Sequence, residues 1–154
     1  MYGIAVMFTL KLMFVKEIRE TDLGVEIHFD GGRLGRLSRQ NNDKYADSIE
    51  YAREGLKERY PVAATIEKPD RIVTIDPADS DTVEYLRDYD AERLEVAFRG
   101  HAAMYYLRKD HPDLQRVKAT LEQSAKNQSL VWLSFNQGKM LVSDALPVED
   151  SRKK

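Results

Sequence analysis

The stretch "VEIHF" (Val25–Phe29) alternates apolar and polar residues, which predicts a strand with one buried face. The stretch "LEVAF" (Leu94–Phe98) has the same pattern 69 residues later. After the first stretch, "DGG" at 30–32 is a strong hairpin signal, because both turn positions tolerate a positive φ. After the second stretch, Gly100 precedes another strand-like run. Each half of the chain is therefore predicted to begin with a β-hairpin.

A helix and two further strands are predicted to follow each hairpin. In the first half, apolar residues recur at helical spacing after Asn42 or Asp43, either of which is a suitable N-cap, and Pro61 ends the pattern. In the second half, Pro112 in the first turn marks a helix start. The helical positions are Tyr45, Ile49, Ala52, Leu56 and Tyr60 in the first half, and Leu114, Val117, Leu121 and Ala125 in the second.

Superimposing the halves at this offset predicts an internal duplication of a strand-strand-helix-strand-strand unit. The fifty pairs from Glu26 to Ile75 contain seven identities, where unrelated sequences of ordinary composition give about three. The alternative is that any two hairpins flanking a helix look alike. An extra N-terminal strand is indicated by the alternation of Phe8, Leu10, Leu12 and Phe14.

These patterns predict an α+β fold, with a largely antiparallel sheet and two main helices. Between the halves, Val83, Leu86 and Tyr89 step by three, which predicts a short helix in an acidic connector. The two units are expected to share one core as a single domain. The predicted segments are 1–76 (N-terminal strand and first unit), 77–92 (connector), 93–148 (second unit) and 149–154 (a frayed tail).

Composition limits the classes of function. The chain has 24 Lys and Arg against 26 Asp and Glu, a net charge of −2, so its overall field does not favour nucleic acid or anionic membranes. The apolar N-terminal run is interrupted by Lys11 and is too short to span a bilayer, so no membrane contact is predicted. The absence of cysteine excludes disulfides and thiolate chemistry, and it is compatible with a reducing, cytoplasmic location.

The clearest candidate for an anion contact is the arginine-bearing turn "GGRLGRLSR". Arg33, Arg36 and Arg39 follow its glycines, and guanidinium groups together with backbone N–H groups are suited to bind phosphate. The alternative is a hairpin with solvated arginines, because strand alternation separates Arg36 from its two neighbours.

No cofactor or metal is predicted. His28, His101 and His111 are too scattered for a metal signature. The segment "DSDTVEYLRDYD" resembles a calcium-binding loop, but it has Val83 at a ligand position and Glu84 where the turn requires glycine. Paired carboxylates are able to do acid–base chemistry, yet no catalytic signature accompanies them.

The sequence favours a non-enzymatic binding or assembly module that acts through protein contacts, with itself as a homo-oligomer or with another protein. Its candidate partner surface combines the N-terminal strand with aromatic residues, including Trp132, which should lie opposite the core face of its strand. A nucleic-acid or nucleotide binder using the Arg33–Arg39 turn and a small enzyme with dispersed catalytic residues are the alternatives. The partner-surface residues are Phe8, Leu10, Leu12, Phe14, Tyr105 and Trp132.

Overall fold

The computed structural model describes residues 8–136 and 138–149. The chain divides into two compact units, the first ending at Ala78 and the second beginning at Asp79. Within the described residues there are eleven strands and two helices, and the strands pair mostly in antiparallel fashion. The predicted α+β class is therefore confirmed. The end of the predicted tail, 150–154, lies outside the described residues.

The first unit is a six-stranded sheet with one helix. Its strands lie in the order β1-β5-β6-β4-β3-β2, and among them only the β4–β6 pair is parallel in the described part of the chain. The elements are β1 (Phe8–Met13), β2 (Val15–Glu20), β3 (Gly24–Phe29), β4 (Arg33–Ser38), α1 (Tyr45–Glu58), β5 (Val62–Glu67) and β6 (Arg71–Pro77).

The second unit is a closed five-stranded barrel with one helix. Its strands follow one another around the barrel as β10-β11-β9-β8-β7, and β9 and β11 run parallel. The elements are β7 (Asp79–Asp88), β8 (Arg93–Phe98), β9 (Tyr105–Arg108), α2 (Leu114–Asn127), β10 (Leu130–Asn136) and β11 (Leu141–Pro147).

The two units have the same order of strand pairing. In the second, the start of β7 pairs with β10 and its remainder pairs with β8. In the first, β1 pairs with β5 and β2 pairs with β3, so these two strands, separated only by Phe14, together hold the position of β7. Among the described residues, the predicted N-terminal strand is thus the first strand of the first unit. Descent of the two units from one duplicated ancestor stays a hypothesis.

The predicted connector helix is wrong, because residues 79–88 form strand β7. Val83 is fully buried and Leu86 packs against the same core, and this spacing of three suggested a helix. The spacing of three arises from a shift in the β7–β8 register between Val83 and Tyr85, since a bulge moves the inward-facing positions by one residue. The first unit has a corresponding shift after Val15.

The buried residues form one cluster in each unit, rather than the single shared core that the sequence predicted. α1 contributes Ile49 and Ala52 to the first cluster, and α2 contributes Val117 and Leu121 to the second. Each helix buries its apolar stripe against strands of its own unit, so each unit has its own hydrophobic core.

The helix ends differ in detail from the prediction. α1 begins at Tyr45 with Lys44 as its N-cap, and the Asn42 carboxamide instead accepts a hydrogen bond from the Lys44 N–H group at 3.0 Å. It ends at Glu58, and its C-cap Arg59 has a left-handed conformation (φ 61°), so the predicted helical position Tyr60 lies outside the helix. α2 ends in the same way at Gln128 (φ 54°). Both ends bond their N–H groups back to the last helical turn, which satisfies carbonyls that the helix leaves free.

A buried serine hydroxyl joins each helix to a strand. In the first unit, the Ser48 hydroxyl accepts a hydrogen bond from the Ile75 N–H group at 3.0 Å. In the second, the Ser124 hydroxyl accepts one from the Val83 N–H group at 2.9 Å and donates to the Ser129 carbonyl at 2.6 Å. These bonds satisfy backbone groups that would otherwise be buried without a partner.

Candidate functional site

The second unit carries a cluster of tyrosine and arginine side chains on its outer face. In β8 the alternation of the strand buries Leu94 and Val96 and directs Arg93 to the opposite side. In β9 it buries Leu107 and leaves Tyr106 half-buried on that outer side. We call this surface the Tyr–Arg face and define it by Tyr85, Arg87, Tyr89, Arg93, Glu95 and Tyr106.

The rings and guanidinium groups of the Tyr–Arg face stack on one another. The ring centroids of Tyr89 and Tyr106 are 4.9 Å apart, with planes tilted by 55°. The guanidinium carbon of Arg93 lies 5.0 Å from the Tyr89 centroid and 4.7 Å from that of Tyr106. Arg87 lies 4.8 Å from the Tyr85 centroid. These cation–π contacts join the side chains into two groups, Tyr85 with Arg87 and Tyr89 with Arg93 and Tyr106.

Carboxylates fix both arginines of the face. Arg87 Nε donates to Glu95 Oε1 at 2.6 Å, and the Tyr85 hydroxyl donates to the same oxygen at 3.3 Å. Arg93 Nη2 donates to Asp90 Oδ2 at 2.8 Å. Glu95 is buried and Arg87 is exposed, so the carboxylate is sheltered while the guanidinium remains accessible.

Two further ion pairs lie at the end of the face, beside the turn between β7 and β8. Arg108 pairs with Asp110 at 2.8 Å, and Lys109 pairs with Asp88 at 3.0 Å. With Glu92 included, the face and this end of it hold four cations and five carboxylates, a net charge of −1. A surface with this balance does not attract a polyanion through its charge.

The hydrogen bonds of the face shift the pKa values of its groups. The hydrogen bond from Arg93 holds the pKa of Asp90 below its ordinary value, and the same bond raises the pKa of Arg93. Burial and a hydrogen bond with Tyr89 raise the pKa of Tyr106. Asp90 is therefore ionised and Tyr106 neutral over the ordinary pH range, so the arrangement persists there.

The corresponding surface of the first unit, the outer face of β3 and β4, carries Glu26, His28 and Arg36, with the half-buried Leu34 opposite His28. Arg36 pairs in register with Glu26, as Tyr106 pairs with Glu95 in the second unit. His28 Nε2 donates to Glu26 Oε1 at 2.8 Å. The two units therefore present different chemistry at equivalent strand positions.

The three arginines of the predicted anion contact differ in their partners and in the side of the strand on which they lie. Arg36 forms an ion pair with Asp70. Arg39 Nη1 donates to the Asp22 carbonyl at 3.3 Å. Arg33, half-buried at the start of β4, lies on the opposite side of the strand from Arg36. An anion contact at this turn would have to displace the Asp70 carboxylate, and it stays a hypothesis.

The N-terminal strand of the predicted partner surface is paired within its own unit. β1 is hydrogen-bonded to β5 from its first residue to its last. Leu12 is buried, so its assignment to an exposed surface is wrong, and Leu10 and Phe14 are half-buried. Phe8 begins β1, but its side chain lies outside the described residues. One edge of this strand is therefore already used inside the chain.

The aromatic residues of the predicted partner surface have separate locations. Tyr105 is only 4% exposed and stacks on Phe135 at 4.3 Å, so its assignment to the surface is wrong. Alternation along β9 explains the error, because it directs Tyr106 outward and its neighbour inward. Trp132 is half-buried on the side of β10 opposite the buried Leu133.

The second unit also contains a buried carboxylate bonded to a histidine. Asp81 accepts hydrogen bonds from His101 Nδ1 at 2.5 Å, from the Gly100 N–H group at 2.9 Å and from the Thr82 N–H group at 2.7 Å. A Cβ atom at Gly100 would lie 2.9 Å from the Asp81 carboxylate, so a larger residue at this position would have to displace that carboxylate.

Burial by itself raises the pKa of Asp81, but the hydrogen bond from His101 and those from the two backbone N–H groups outweigh it and lower the pKa overall. The His101 ring packs against Phe98, Tyr105 and Phe135, with centroids 5.4–5.8 Å away. A carboxylate that orients a histidine is an arrangement found in general-base catalysis. Here the same contacts fasten the segment after β8 to β7, so the pair already has a structural role.

Sequence reasoning did not find the Tyr–Arg face. It assigned Tyr89 to a connector helix and selected Tyr105 rather than Tyr106. The usable signal was the alternation in "RLEVAF", where Arg93 and Glu95 alternate with the apolar positions of the strand. That signal defines an outer side, but it does not show that the turn after β7 brings a tyrosine to it.

Two kinds of feature are absent from the part of the chain that the structure describes. No group of three or more His, Asp or Glu side chains there is placed to hold a metal ion. No helix among residues 8–136 and 138–149 combines the length and apolar character needed to cross a membrane.

Comparison with known proteins yields no relative: no family model, no curated protein and no solved structure matches this chain. The function proposed below therefore depends on the chemistry and topology of the chain itself.

Proposed function

We propose that this protein is a non-enzymatic binding module that contacts a protein partner through the Tyr–Arg face. The observation that carries the proposal is the stack of Tyr89, Arg93 and Tyr106 on the outer side of the barrel. Tyr89 is 51% exposed, so a large aromatic surface faces solvent at the centre of this group. Exposed aromatic side chains that lie together are typical of interaction sites.

The residue types support a protein partner. Tyrosine and arginine are enriched at the energetic centres of protein interfaces, because each combines a large contact area with hydrogen-bonding groups. Both arginines already have partners within the chain, since Arg87 is bonded to Glu95 and Arg93 to Asp90. Side chains that are already ordered lose less conformational entropy when a partner binds.

The topology of the barrel supports the same location. Numbered within the second unit, the strands lie in the order 1-2-3-5-4 and close on strand 1, with the helix between strands 3 and 4. This is the arrangement of the OB-fold, whose ligands bind on strands 2 and 3 and on the adjoining loops. Arg93, Glu95 and Tyr106 lie on those strands, and Tyr89 begins the loop between strands 1 and 2. Because one fold hosts many functions, this similarity of topology supports the location of the binding surface and does not identify its ligand.

Single-stranded nucleic acid is the second candidate, because OB-folds bind it by stacking bases on aromatic rings. The balance of charge opposes it. The four cations at the face are each paired with a carboxylate, so phosphate groups would have to displace those partners. Fluorescence anisotropy with a labelled oligonucleotide at low salt tests this candidate, and salt-sensitive binding that is lost in Tyr89→Ala would favour it over a protein partner.

A cytoplasmic location is part of the proposal. It is supported by the absence of cysteine, since such a chain depends on no disulfide and suits a reducing compartment.

The protein-binding proposal is tested by affinity capture from the source cells with three immobilised chains. They are the wild type, the double variant Tyr89→Ala/Tyr106→Ala, and the control Arg36→Ala, which alters the equivalent position of the first unit. We expect the wild type and the control to retain the same protein, and the double variant to lose it by about tenfold or more. Retention by all three chains alike would remove the Tyr–Arg face as the binding surface. Circular dichroism checks that each variant is folded.

A further inference from the structure

We propose that the partner of the Tyr–Arg face is a second copy of this chain, bound about a two-fold axis. The inference rests on the proposed function and specifies its partner.

The charges at the face occur as adjacent cation–carboxylate pairs rather than as an area of one sign. Arg93 pairs with Asp90 and Arg108 with Asp110, each at 2.8 Å. A partner with a surface of a single sign would be repelled by half of these groups. A surface that also alternates in sign complements them, and this chain itself presents such a surface.

Two-fold symmetry turns this alternation into attraction. In a two-fold dimer the same patch meets itself, rotated by 180°. A pair that lies across the axis has its direction reversed in the second copy, so that the arginine of each copy can approach the carboxylate of the other while it keeps its own partner. The whole chain has a net charge of only −2, so repulsion between two copies is small.

The aromatic part of the face gives the contact its apolar area. Tyr89 exposes half of its surface, and Tyr106 lies beside it at a ring separation of 4.9 Å. Arg93 covers one side of both rings. The remaining exposed ring surface is covered when the equivalent residues of a second copy pack against it, as aromatic residues do at the centres of interfaces.

The first measurement is the mass of the purified full-length chain by light scattering and sedimentation, from about 1 to about 300 µM at low salt. We expect a reversible monomer–dimer equilibrium. Tyr89→Ala should raise the dissociation constant by about 30-fold, because a tyrosine at the centre of an interface contributes at that level. Tyr89 is exposed, so this substitution leaves the fold intact. The control Arg36→Ala should dimerise like the wild type.

The second measurement tests the pairing of opposite charges between copies. Arg93→Glu/Arg108→Glu makes the face acidic, and Asp88→Lys/Asp110→Lys makes it basic. Each variant alone should dissociate about tenfold more readily than the wild type, since like charges then meet across the axis. An equimolar mixture, with one variant fluorescently labelled, should form heterodimers at least as tightly as the wild type forms homodimers.

The possible failures are distinguishable from failure of the proposed function. A wild-type chain that keeps the mass of a monomer over the whole range overturns the second copy as partner, and capture of another protein through the same face would still support the proposed function. A dimer that neither Tyr89→Ala nor the charge variants weaken also overturns this inference, because its contact then lies elsewhere. Loss of captured protein and loss of dimer in the same variants support both.

Discussion

The first and second units share one order of strands but differ at the same strand positions. Arg36 lies opposite Glu26 in the first unit, and Tyr106 lies opposite Glu95 in the second. The second surface therefore adds tyrosine rings, stacked on its arginines, to the ion-paired charges that both surfaces carry. The comparison shows that the topology supplies equivalent outer positions, while the side chains placed there determine what each unit can bind.

The interiors differ as well. Met13 and Asp81 occupy equivalent positions, since Met13 pairs with Val62 in the first unit and Asp81 pairs with Val131 in the second. Met13 packs against an apolar cluster, but Asp81 accepts three kinds of hydrogen bond, including one from His101. At this position the second unit therefore has a polar hydrogen-bond network around Asp81, whereas the first unit has apolar contacts of Met13.

The largest expected effect concerns what the units share. Phe29 and Phe98 pair with Val15 and Val83 respectively, and both are at most 3% exposed. Phe29→Ala and Phe98→Ala should each lower the free energy of unfolding of their unit by about 4 kcal/mol, because each leaves a cavity among buried apolar side chains. Urea unfolding followed by circular dichroism measures both, and the emission of Trp132, the single tryptophan, follows the second unit.

Leu23→Ala is the control, since Leu23 is 71% exposed and its loss should change stability by no more than about 0.5 kcal/mol. A cost at one phenylalanine that is several times the cost at the other would contradict the equivalence of the two cores.

The next effect separates the two interiors. Asp81→Ala should cost about 3 kcal/mol, because it leaves His101 and two backbone N–H groups without their acceptor. Met13→Ala, at the equivalent position, removes part of a half-buried side chain and should cost about 1.5 kcal/mol. Equal costs at the two positions would indicate that the hydrogen bonds of Asp81 contribute little.

Acid unfolding sharpens the same contrast. The pKa of Asp81 is lowered in the folded chain, so its stabilisation is complete above the ordinary aspartate pKa of about 4 and is lost as the pH falls through the folded value. Asp81→Asn should therefore unfold with a weaker dependence on pH below about 4 than the wild type. Met13→Ala should keep the wild-type dependence, and a steep acid limb in Asp81→Asn would assign that dependence to other carboxyl groups.

The smallest effect concerns the serines that join helix to strand. Ser124→Ala should cost about 2 kcal/mol, because it leaves the buried Val83 N–H group and the Ser129 carbonyl without this partner. Ser48→Ala removes only the bond to Ile75 and should cost about 1 kcal/mol. Hydrogen exchange of the two backbone amides locates each effect, and unchanged protection of Val83 in Ser124→Ala would contradict it.

Periodicity predicted the elements whose local pattern and final environment agree. The helical spacing from Tyr45 to Leu56 and from Leu114 to Ala125 was sufficient, because each helix buries one stripe on strands of its own unit. The strand of residues 25–29 was likewise evident from its alternation. Where a bulge interrupts a strand, as between Val83 and Tyr85, the same method failed.

The site was harder to predict than the fold. Two adjacent tyrosines, Tyr105 and Tyr106, differ completely in environment, and a shift of one residue in register exchanges them. The interaction of Tyr89 with Tyr106 joins residues that are 17 positions apart, in a turn and a strand. No local pattern contains that contact.

The sequence by itself determined the α+β class, the two helices and most of the strands, because hydrophobic spacing acts over a few residues and is written in the chain. Only the tertiary structure decided that β1 and β2 together pair in the first unit as β7 does in the second. It also decided that Asp81 forms hydrogen bonds with His101 and with the backbone of Gly100. It also decided that tyrosine and arginine from three elements meet on one face of the second unit. These features depend on strand pairing between distant residues, which fixes the register and therefore the side of the sheet on which each side chain lies.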